Sequence, residues 1–191
     1  KMSGTNIKLN QKYKKEVIPK MQKDFKLKNE MAVPKIIKTV INVGIGRMLI
    51  AASQGKVRDE LLQELKNDFS LIAGQLPKET KAKKSIAAFK IREGMTIGLS
   101  ATLRGQRMND FLEKLIAIVL PRVRDFHGIP MNVFDAKGNL NLGIKEMVVF
   151  PEIPAASSKH AFGLQVTVVT NAKNKEQAVE LFKLLGFPLS K

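Results

Sequence analysis

Strict alternation of apolar and polar side chains makes Met95–Arg104 the clearest strand pattern in the chain. Successive side chains of a strand point to opposite faces, so the pattern predicts one face on a core and one that stays polar. The first face holds Ile97, Leu99, Ala101 and Leu103, and the second holds Thr96, Gly98, Ser100, Thr102 and Arg104. The second face is either a solvated surface or one that a sugar-phosphate backbone can approach closely.

Three further stretches, 33–46, 143–150 and 163–170, are predicted as strands. In the first, Lys38 and Asn42 share a partly polar face, opposite the face of Ile41 and Val43. The segment Gly44-Ile45-Gly46 matches the start of a dinucleotide-binding turn, but Leu49 stands where the third glycine belongs. We therefore favour a simple backbone turn in which glycine supplies a positive φ.

Apolar residues at spacings of three and four predict four helices, over about 11–26, 53–73, 109–120 and 175–185. Lys14 lies on a basic face of the first helix, which Pro19 is predicted to kink or break. Pro121 is predicted to end the third helix. The core stripe of the first is Tyr13, Val17, Met21 and Phe25, and that of the second is Val57, Leu61, Leu65, Phe69 and Ile72.

Capping residues can be assigned to the second and fourth predicted helices. Ser53 is a plausible N-cap of the second helix and Gly74 its stop, while Asn174 and Gln177 stand at capping-box spacing before the fourth. The segment 128–141 is predicted to be an exposed loop, and 77–88 a basic one. These elements predict a single α+β domain over 1–191, with a mainly antiparallel sheet, helices on one face and the other face free for a ligand.

Charge narrows the choice of ligand. The 191 residues carry a formal net charge of +16, and the stretch Pro77–Met108 alone carries +6. Such a charge favours polyanionic partners, nucleic acid before an anionic membrane surface. No run of eighteen apolar residues and no signal-peptide pattern occur, so we expect a cytosolic protein that does not enter a membrane.

The sequence contains few residues that could act in catalysis or bind a metal ion. The chain has no cysteine, and its histidines, His127 and His160, stand apart in loop-like stretches. It has no nucleophile motif, paired histidines or phosphate-binding loop, so we expect neither an enzyme nor a cofactor. One tyrosine and no tryptophan favour recognition of RNA backbone and shape over base stacking.

Several segments match motifs of one family in the same order: 73–75, 80–87, 89–92, 102–108, 120–126, 143–146, 150–153 and 184–188. Together they resemble the universal large-subunit ribosomal protein five, a family that binds 5S ribosomal RNA. The resemblance covers nearly the whole chain, in the right order. It departs at Asn109 and Leu140, where aromatic residues are usual, and at His127, where arginine is common.

The resemblance implies a structural protein of the central protuberance of the large ribosomal subunit, bound to 5S rRNA, large-subunit rRNA and neighbouring ribosomal proteins. Its implied 5S rRNA contacts are Asn42, Gln75 and Thr102, to which we add the basic positions Lys14, Lys38 and Arg104 as rRNA-binding candidates. Its basic loop implies contact with peptidyl-site tRNA through Lys78, Lys81, Lys83 and Lys84. A loop matching 133–141 implies an intersubunit bridge to a protein of the small-subunit head. The alternative is a general basic protein that compacts nucleic acid or acts like a chaperone and binds DNA and RNA duplexes alike.

Overall fold

A computed structural model describes residues 9–52, 55–124, 126–153 and 162–190. The predictions for Ser53 and His160 lie outside these ranges. The strands are β1 (Ile36–Gly44), β2 (Lys78–Lys81), β3 (Thr96–Leu103), β4 (Leu140–Ile144) and β5 (Leu164–Thr170). The helices are α1 (9–24), α2 (Gly46–Ala51), α3 (Lys56–Ala73), α4 (105–122) and α5 (Lys175–Leu185).

The strands form one antiparallel sheet in the order β2-β3-β1-β5-β4. Burial alternates along each long strand. On β5, for example, Leu164, Val166 and Val168 are buried, while Gln165 is exposed and Thr167 half-buried. The predicted α+β class with a mainly antiparallel sheet is therefore confirmed.

The chain divides into two compact units. The first comprises 1–39, 104–141 and 167–191, and the second 40–103 and 142–166. In the first unit Phe182 packs its ring against Phe134 at 5.5 Å and Phe187 at 4.9 Å between centroids. In the second, Phe69 of α3 and Leu99 of β3 belong to the buried core. Strands β1, β4 and β5 each contribute residues to both units.

Two helices contain a proline and continue through it. In α1 the turn Tyr13–Val17 is π-helical, and Ile18 donates its N–H to the carbonyl of Tyr13, five residues back. In α4 the turn Leu115–Val119 is π-helical, and Leu120 donates likewise to Leu115. Each wide turn ends two residues before a proline, which lacks an N–H and crowds the carbonyl four residues back. The prediction that Pro121 ends its helix is therefore wrong, because α4 runs on to Arg122.

The burial of two residues, Thr96 and Val57, differs from prediction. Thr96 was predicted on the polar face of β3, yet it is buried, because the register shifts: Thr80 pairs with Gly98 and Lys81 with Thr96. β3 has one extra residue at this point, so buried and exposed positions are exchanged in the part of the strand that lies N-terminal to it. Val57 was predicted in the core stripe of α3, yet its side chain is 54% exposed. It lies in the first turn of the helix, and periodicity identifies a face without showing how far along that face the core extends.

The strand predicted over 143–150 is wrong at both ends. The buried alternation is Leu140, Leu142 and Ile144, so β4 begins earlier and ends at Ile144. The apolar run after it forms a 3-10 turn, Met147–Val149, before Pro151. The predicted exposed loop is consequently shorter, and Phe134 and Gly138 within it are buried.

The glycine turn after β1 also differs from prediction. Neither Gly44 nor Gly46 has a positive φ, and Gly46 begins α2, which the sequence pattern did not reveal. Ile45 makes the transition with φ −111°, and its N–H donates to the carbonyl of Ile97 at 3.0 Å. Strand β2 was likewise predicted as part of a basic loop.

Helix ends agree better with the predictions. Gly74 ends α3 in the left-handed region with φ 69°, as predicted, and α5 has its predicted bounds, Lys175–Leu185. The capping box at α5 is wrong in detail. Asn174 occupies the N-cap without a side-chain hydrogen bond, and Gln177 accepts instead from the N–H of Lys173 at 3.4 Å.

Candidate nucleic-acid interface

A shallow cavity on the polar face of the sheet contains Asn42, a predicted contact residue. Asn42 is exposed on β1, and its neighbour Gln165 is exposed on β5. The cavity has a volume of about 410 Å³ and lies wholly within the second unit. We call it the glycine recess, and it is lined by Asn42, Gly44, Gly143, Lys145, Gly163 and Gln165, with Ile144 and Leu164 between them. At Gly44 and Gly143 a Cβ would meet nothing within 4 Å, so the peptide groups there are open to close approach by a ligand.

The structure brings the other two neutral candidates together in the same unit. Gln75 directly follows Gly74, whose left-handed backbone turns the chain away from α3. Its Nε2 donates to the main-chain carbonyl of Thr102 at 3.3 Å. This bond uses neither the Oε1 of Gln75 nor the hydroxyl of Thr102, and both side chains are half-buried. A neutral donor and acceptor pair is therefore held in place beside β3.

Lys78 lies on the sheet rather than in a loop. It is the first residue of β2 and pairs with Ser100 of β3. Directly paired residues share a face, so the Lys78 side chain stands on the polar face that also carries Ser100 and Thr102. Lys81 ends the same strand. The predicted tRNA-contacting group is thus divided between a strand and the connection that follows it.

The connection between β2 and β3, residues 82–95, is basic and exposed. Lys83 and Lys84 are both exposed within it. A small bridge joins Ile86 and Ile91, and the 3-10 turn between them exposes Phe89 by 61%. We call this segment the basic connection. The exposed ring of Phe89 was not predicted, because no helical or strand periodicity surrounds it in the sequence.

The remaining rRNA-binding candidates belong to the first unit. Lys14 is exposed on the π-helical turn of α1, and Arg104 is exposed just before α4. Lys38 is half-buried on β1, four residues before Asn42 and on the same side of the strand. All three present cations, and none of the three is fully buried in its unit.

Glu79, the acidic residue of β2, is neutralised on the opposite face. Its carboxylate lies 2.6 Å from Lys66 Nζ of α3 and accepts a hydrogen bond from Thr96 Oγ1 at 2.7 Å. The hydrogen bond from Lys66, followed by that from Thr96, lowers the pKa of Glu79 against a smaller opposing effect of burial. The lysines on the polar face are therefore not paired with this carboxylate.

Gln165 and Lys145 were not predicted as site residues. The alternation of β5 placed Gln165 on its polar face, but only the pairing order of the strands brings it beside Asn42. Within the described ranges, no cluster of three His, Asp or Glu side chains is suited to hold a metal ion. No helix in those ranges has the length and apolarity to cross a membrane. The surface offers neutral hydrogen-bonding groups, open peptide groups and lysines, which suit a sugar-phosphate backbone.

Comparison with known proteins gives one family for both halves of the chain. Residues 29–92 match the family model described as ribosomal protein L5, and residues 96–189 match the model that describes the C-terminus of the same ribosomal family. The two matches together include every strand. They also include Asn42, Gln75 and Thr102.

Full-length relatives agree. The chain is 46% identical over 182 residues to the large ribosomal subunit protein uL5 of Halothermothrix orenii, covering 95% of this chain and 98% of the relative. It is 49% identical over 176 residues to uL5 of Syntrophomonas wolfei, covering 92% and 95%. It is 49% identical over 180 residues to uL5 of Geotalea daltonii, covering 94% and 97%.

Proposed function

The chain belongs to the ribosomal protein L5 family, and from this membership we propose that it holds 5S rRNA in the central protuberance of the large ribosomal subunit. The family consists of structural, non-enzymatic ribosome constituents. The protein is accordingly a component of the large subunit of the cytoplasmic ribosome, and RNA binding is expected of it.

The observation that carries the proposal is the neutral polar face of the second unit. Asn42, Thr102 and Gln75 stand on or beside neighbouring strands, and the glycine recess opens next to Asn42. An RNA helix displays 2′-hydroxyls and phosphates in a wide, shallow groove, which a flat surface of amides and peptide groups can contact. Lysines at the edge, such as Lys78, add phosphate contacts without reading sequence.

The basic connection is proposed to contact peptidyl-site tRNA. Lys81, Lys83 and Lys84 project from the end of β2 and the segment after it, with Lys78 at the base on the sheet. Exposed lysines supply phosphate contacts that depend little on base identity. Other partners in the proposal are large-subunit rRNA, bound with the help of Lys14, Lys38 and Arg104, and neighbouring ribosomal proteins.

An intersubunit bridge is proposed for the loop 133–141, which contains the turn 135–139. The carboxylate of Asp135 accepts hydrogen bonds from the N–H groups of Lys137 and Asn139 and from the Asn139 side chain. Burial opposes ionisation of Asp135, but these hydrogen bonds outweigh it and lower the pKa. The turn is thus braced by one ionised side chain and presents Lys137 at an exposed tip.

The test compares cognate 5S rRNA, tRNA and duplex DNA of equal length in a salt titration. Phosphate contacts weaken all three complexes as salt rises, whereas shape and hydrogen-bond recognition preserve a preference for 5S rRNA. Asn42→Ala and Thr102→Ala should each reduce that preference about fivefold, the value of one neutral hydrogen bond of about 1 kcal/mol. Asn67→Ala, an exposed amide on α3, is the control and should leave it unchanged.

If the three nucleic acids bind equally at every salt concentration, the protein is a general polycation and the 5S proposal fails. The net charge of +16 is what makes this alternative worth testing. A 5S preference that survives high salt but ignores Asn42→Ala and Thr102→Ala would instead move the site away from this face.

A further inference from the structure

A large cavity among the described residues of the second unit lies apart from the glycine recess. It has a volume of about 850 Å³ and opens between the α2–α3 region and the basic connection. Three cations line it, Arg58 from α3 and Lys90 and Arg92 from the basic connection. Its apolar wall includes Leu49 and Ile50 of α2 and Met95 just before β3. We call it the cationic cavity.

Backbone hydrogen bonds hold the outer wall of this cavity. Ile86 and Ile91 exchange two main-chain bonds, at 2.9 and 3.2 Å, and the Ser85 hydroxyl accepts from the N–H of Glu93 at 2.9 Å. Lys90 closes the intervening turn in the left-handed region with φ 52°. Residues other than glycine rarely adopt that backbone region, so the turn fixes the backbone conformation of Lys90.

The lining combines charges of one sign with an apolar surface. It contains no Asp or Glu, so no carboxylate among the lining residues neutralises the three cations. A paired RNA helix would present phosphates but no base face to the half-buried Ile50 and Met95. A nucleotide whose base has left the stack presents both an apolar ring face and flanking phosphates. The volume falls in the range of roughly 300–1,000 Å³ that is typical of small-molecule sites.

We propose that the cationic cavity binds one unpaired nucleotide of an RNA, with its base against Ile50 and Met95 and its phosphates on Arg58, Lys90 and Arg92. The inference rests on the proposed function in taking RNA as the partner. It adds a base-accepting site to a surface otherwise suited to backbone contacts. The chain would thereby recognise RNA that carries an extruded base beside a helix.

The test uses an RNA stem with a single bulged adenosine, the same stem fully paired, and the same stem with an abasic bulge. The bulged stem should bind about tenfold more tightly than the other two, which is the order expected for burying one apolar ring face. Fluorescence of 2-aminopurine at the bulge reports directly on the base. Adenosine monophosphate as a competitor separates a free nucleotide from a nucleotide within RNA.

Two variants dissect the cavity. Lys90→Asn/Arg92→Gln removes two charges while asparagine tolerates the left-handed turn, and it should lower the salt slope of bulged-stem binding by about one to two. Met95→Gln keeps the side-chain size and should abolish the difference between adenosine and abasic bulges. Lys56→Gln, an exposed lysine outside the cavity lining, is the matched control and should preserve the bulge preference. Circular dichroism of each variant checks that it is folded.

Equal binding of bulged, paired and abasic stems would overturn the proposal, as would a bulge preference that survives both variants. Displacement of the bulged stem by low concentrations of adenosine monophosphate would assign the cavity to a free nucleotide instead. Tighter binding of an Asp- and Phe-containing peptide than of any RNA stem would assign it to a protein partner. If 5S rRNA keeps its preference while the bulge has no effect, only this inference fails, whereas loss of the 5S preference alone would remove the proposed function.

Discussion

Gly98 is the position at which a single added carbon would disturb the sheet. A Cβ placed there would lie 2.7 Å from Thr80 Oγ1 of β2 and 2.8 Å from the main-chain carbonyl of Val43 of β1. The second contact is with backbone and cannot be relieved by turning a side chain. The absence of a Cβ therefore lets three neighbouring strands approach at this point.

Gly98→Ala should lower the free energy of unfolding by about 1–3 kcal/mol, the usual cost of overpacking. Gly143→Ala is the matched control, because a Cβ at Gly143 meets nothing within 4 Å and its φ is not positive. Urea denaturation followed by circular dichroism measures both. Equal losses in the two variants would show that the Thr80 and Val43 contacts do not limit this site.

The ion pair of Glu79 links stability to pH. Its pKa is lowered in the folded protein by Lys66 and Thr96, so ionisation of Glu79 favours folding. The contribution is present above the unfolded Glu pKa of about 4.3 and is lost as the pH falls through the lower folded value. Glu79→Gln should cost about 1–2 kcal/mol at neutral pH and much less in acid, where the carboxylate of the unmodified protein is protonated.

Urea titrations of the unmodified protein and Glu79→Gln, at neutral pH and in acid, measure this gap. Glu64→Gln, an exposed carboxylate on α3, is the control and should show a small effect at both values. A gap for Glu79→Gln that does not narrow in acid would show that the pair acts by packing rather than by charge.

At the scale of elements, the wide turns in α1 and α4 show how a helix accommodates proline. The residue just before each proline donates its N–H five residues back, to Tyr13 in α1 and to Leu115 in α4. The wider ladder relieves the carbonyl that the proline ring would crowd. Proline in these two helices therefore changes the hydrogen-bond pattern without ending the element.

The basic connection is proposed to contact tRNA, whereas the neutral polar face is proposed to contact 5S rRNA. Charge changes in the connection should therefore affect the two RNAs differently. Lys83→Glu/Lys84→Glu should weaken tRNA binding more than 5S rRNA binding at physiological salt, because charges farther than about 8 Å from a ligand are largely screened there. Filter binding with both RNAs measures the two losses. Lys173→Glu/Lys175→Glu, two exposed lysines of the first unit, controls for net charge. Equal losses for the two RNAs in the Lys83/Lys84 variant would contradict the division of roles.

In the whole molecule, three strands are shared by the two compact units. β1, β4 and β5 each have residues in both units, so unfolding of these strands in one unit also unfolds strand residues of the other. We therefore predict one cooperative thermal transition, with equal calorimetric and van't Hoff enthalpies. Two resolved transitions in differential scanning calorimetry would show that the units unfold independently and would contradict the prediction of a single domain.

The candidate site was only partly predictable. Asn42 and Lys38 were placed on one polar face because alternation is a local property of β1, and the structure agrees. Gln165 could not be placed beside Asn42, because strand order is set by contacts between segments far apart in the chain. Lys78 was predicted in a loop for the same reason: the four residues of β2 carry no alternation of their own and become a strand only by pairing with β3.

Four properties could be predicted from the sequence alone: the α+β class, the +16 charge, the bounds of α5 and the resemblance to a ribosomal protein family. These depend on local periodicity, composition and residue identity. Three features arise from contacts between distant segments: the bulge that buries Thr96, the hydrogen bond between Gln75 and Thr102, and the glycine recess. Each of these depends on which strands pair and in what register, and the free energy of such long-range contacts is not encoded in the pattern of any one segment.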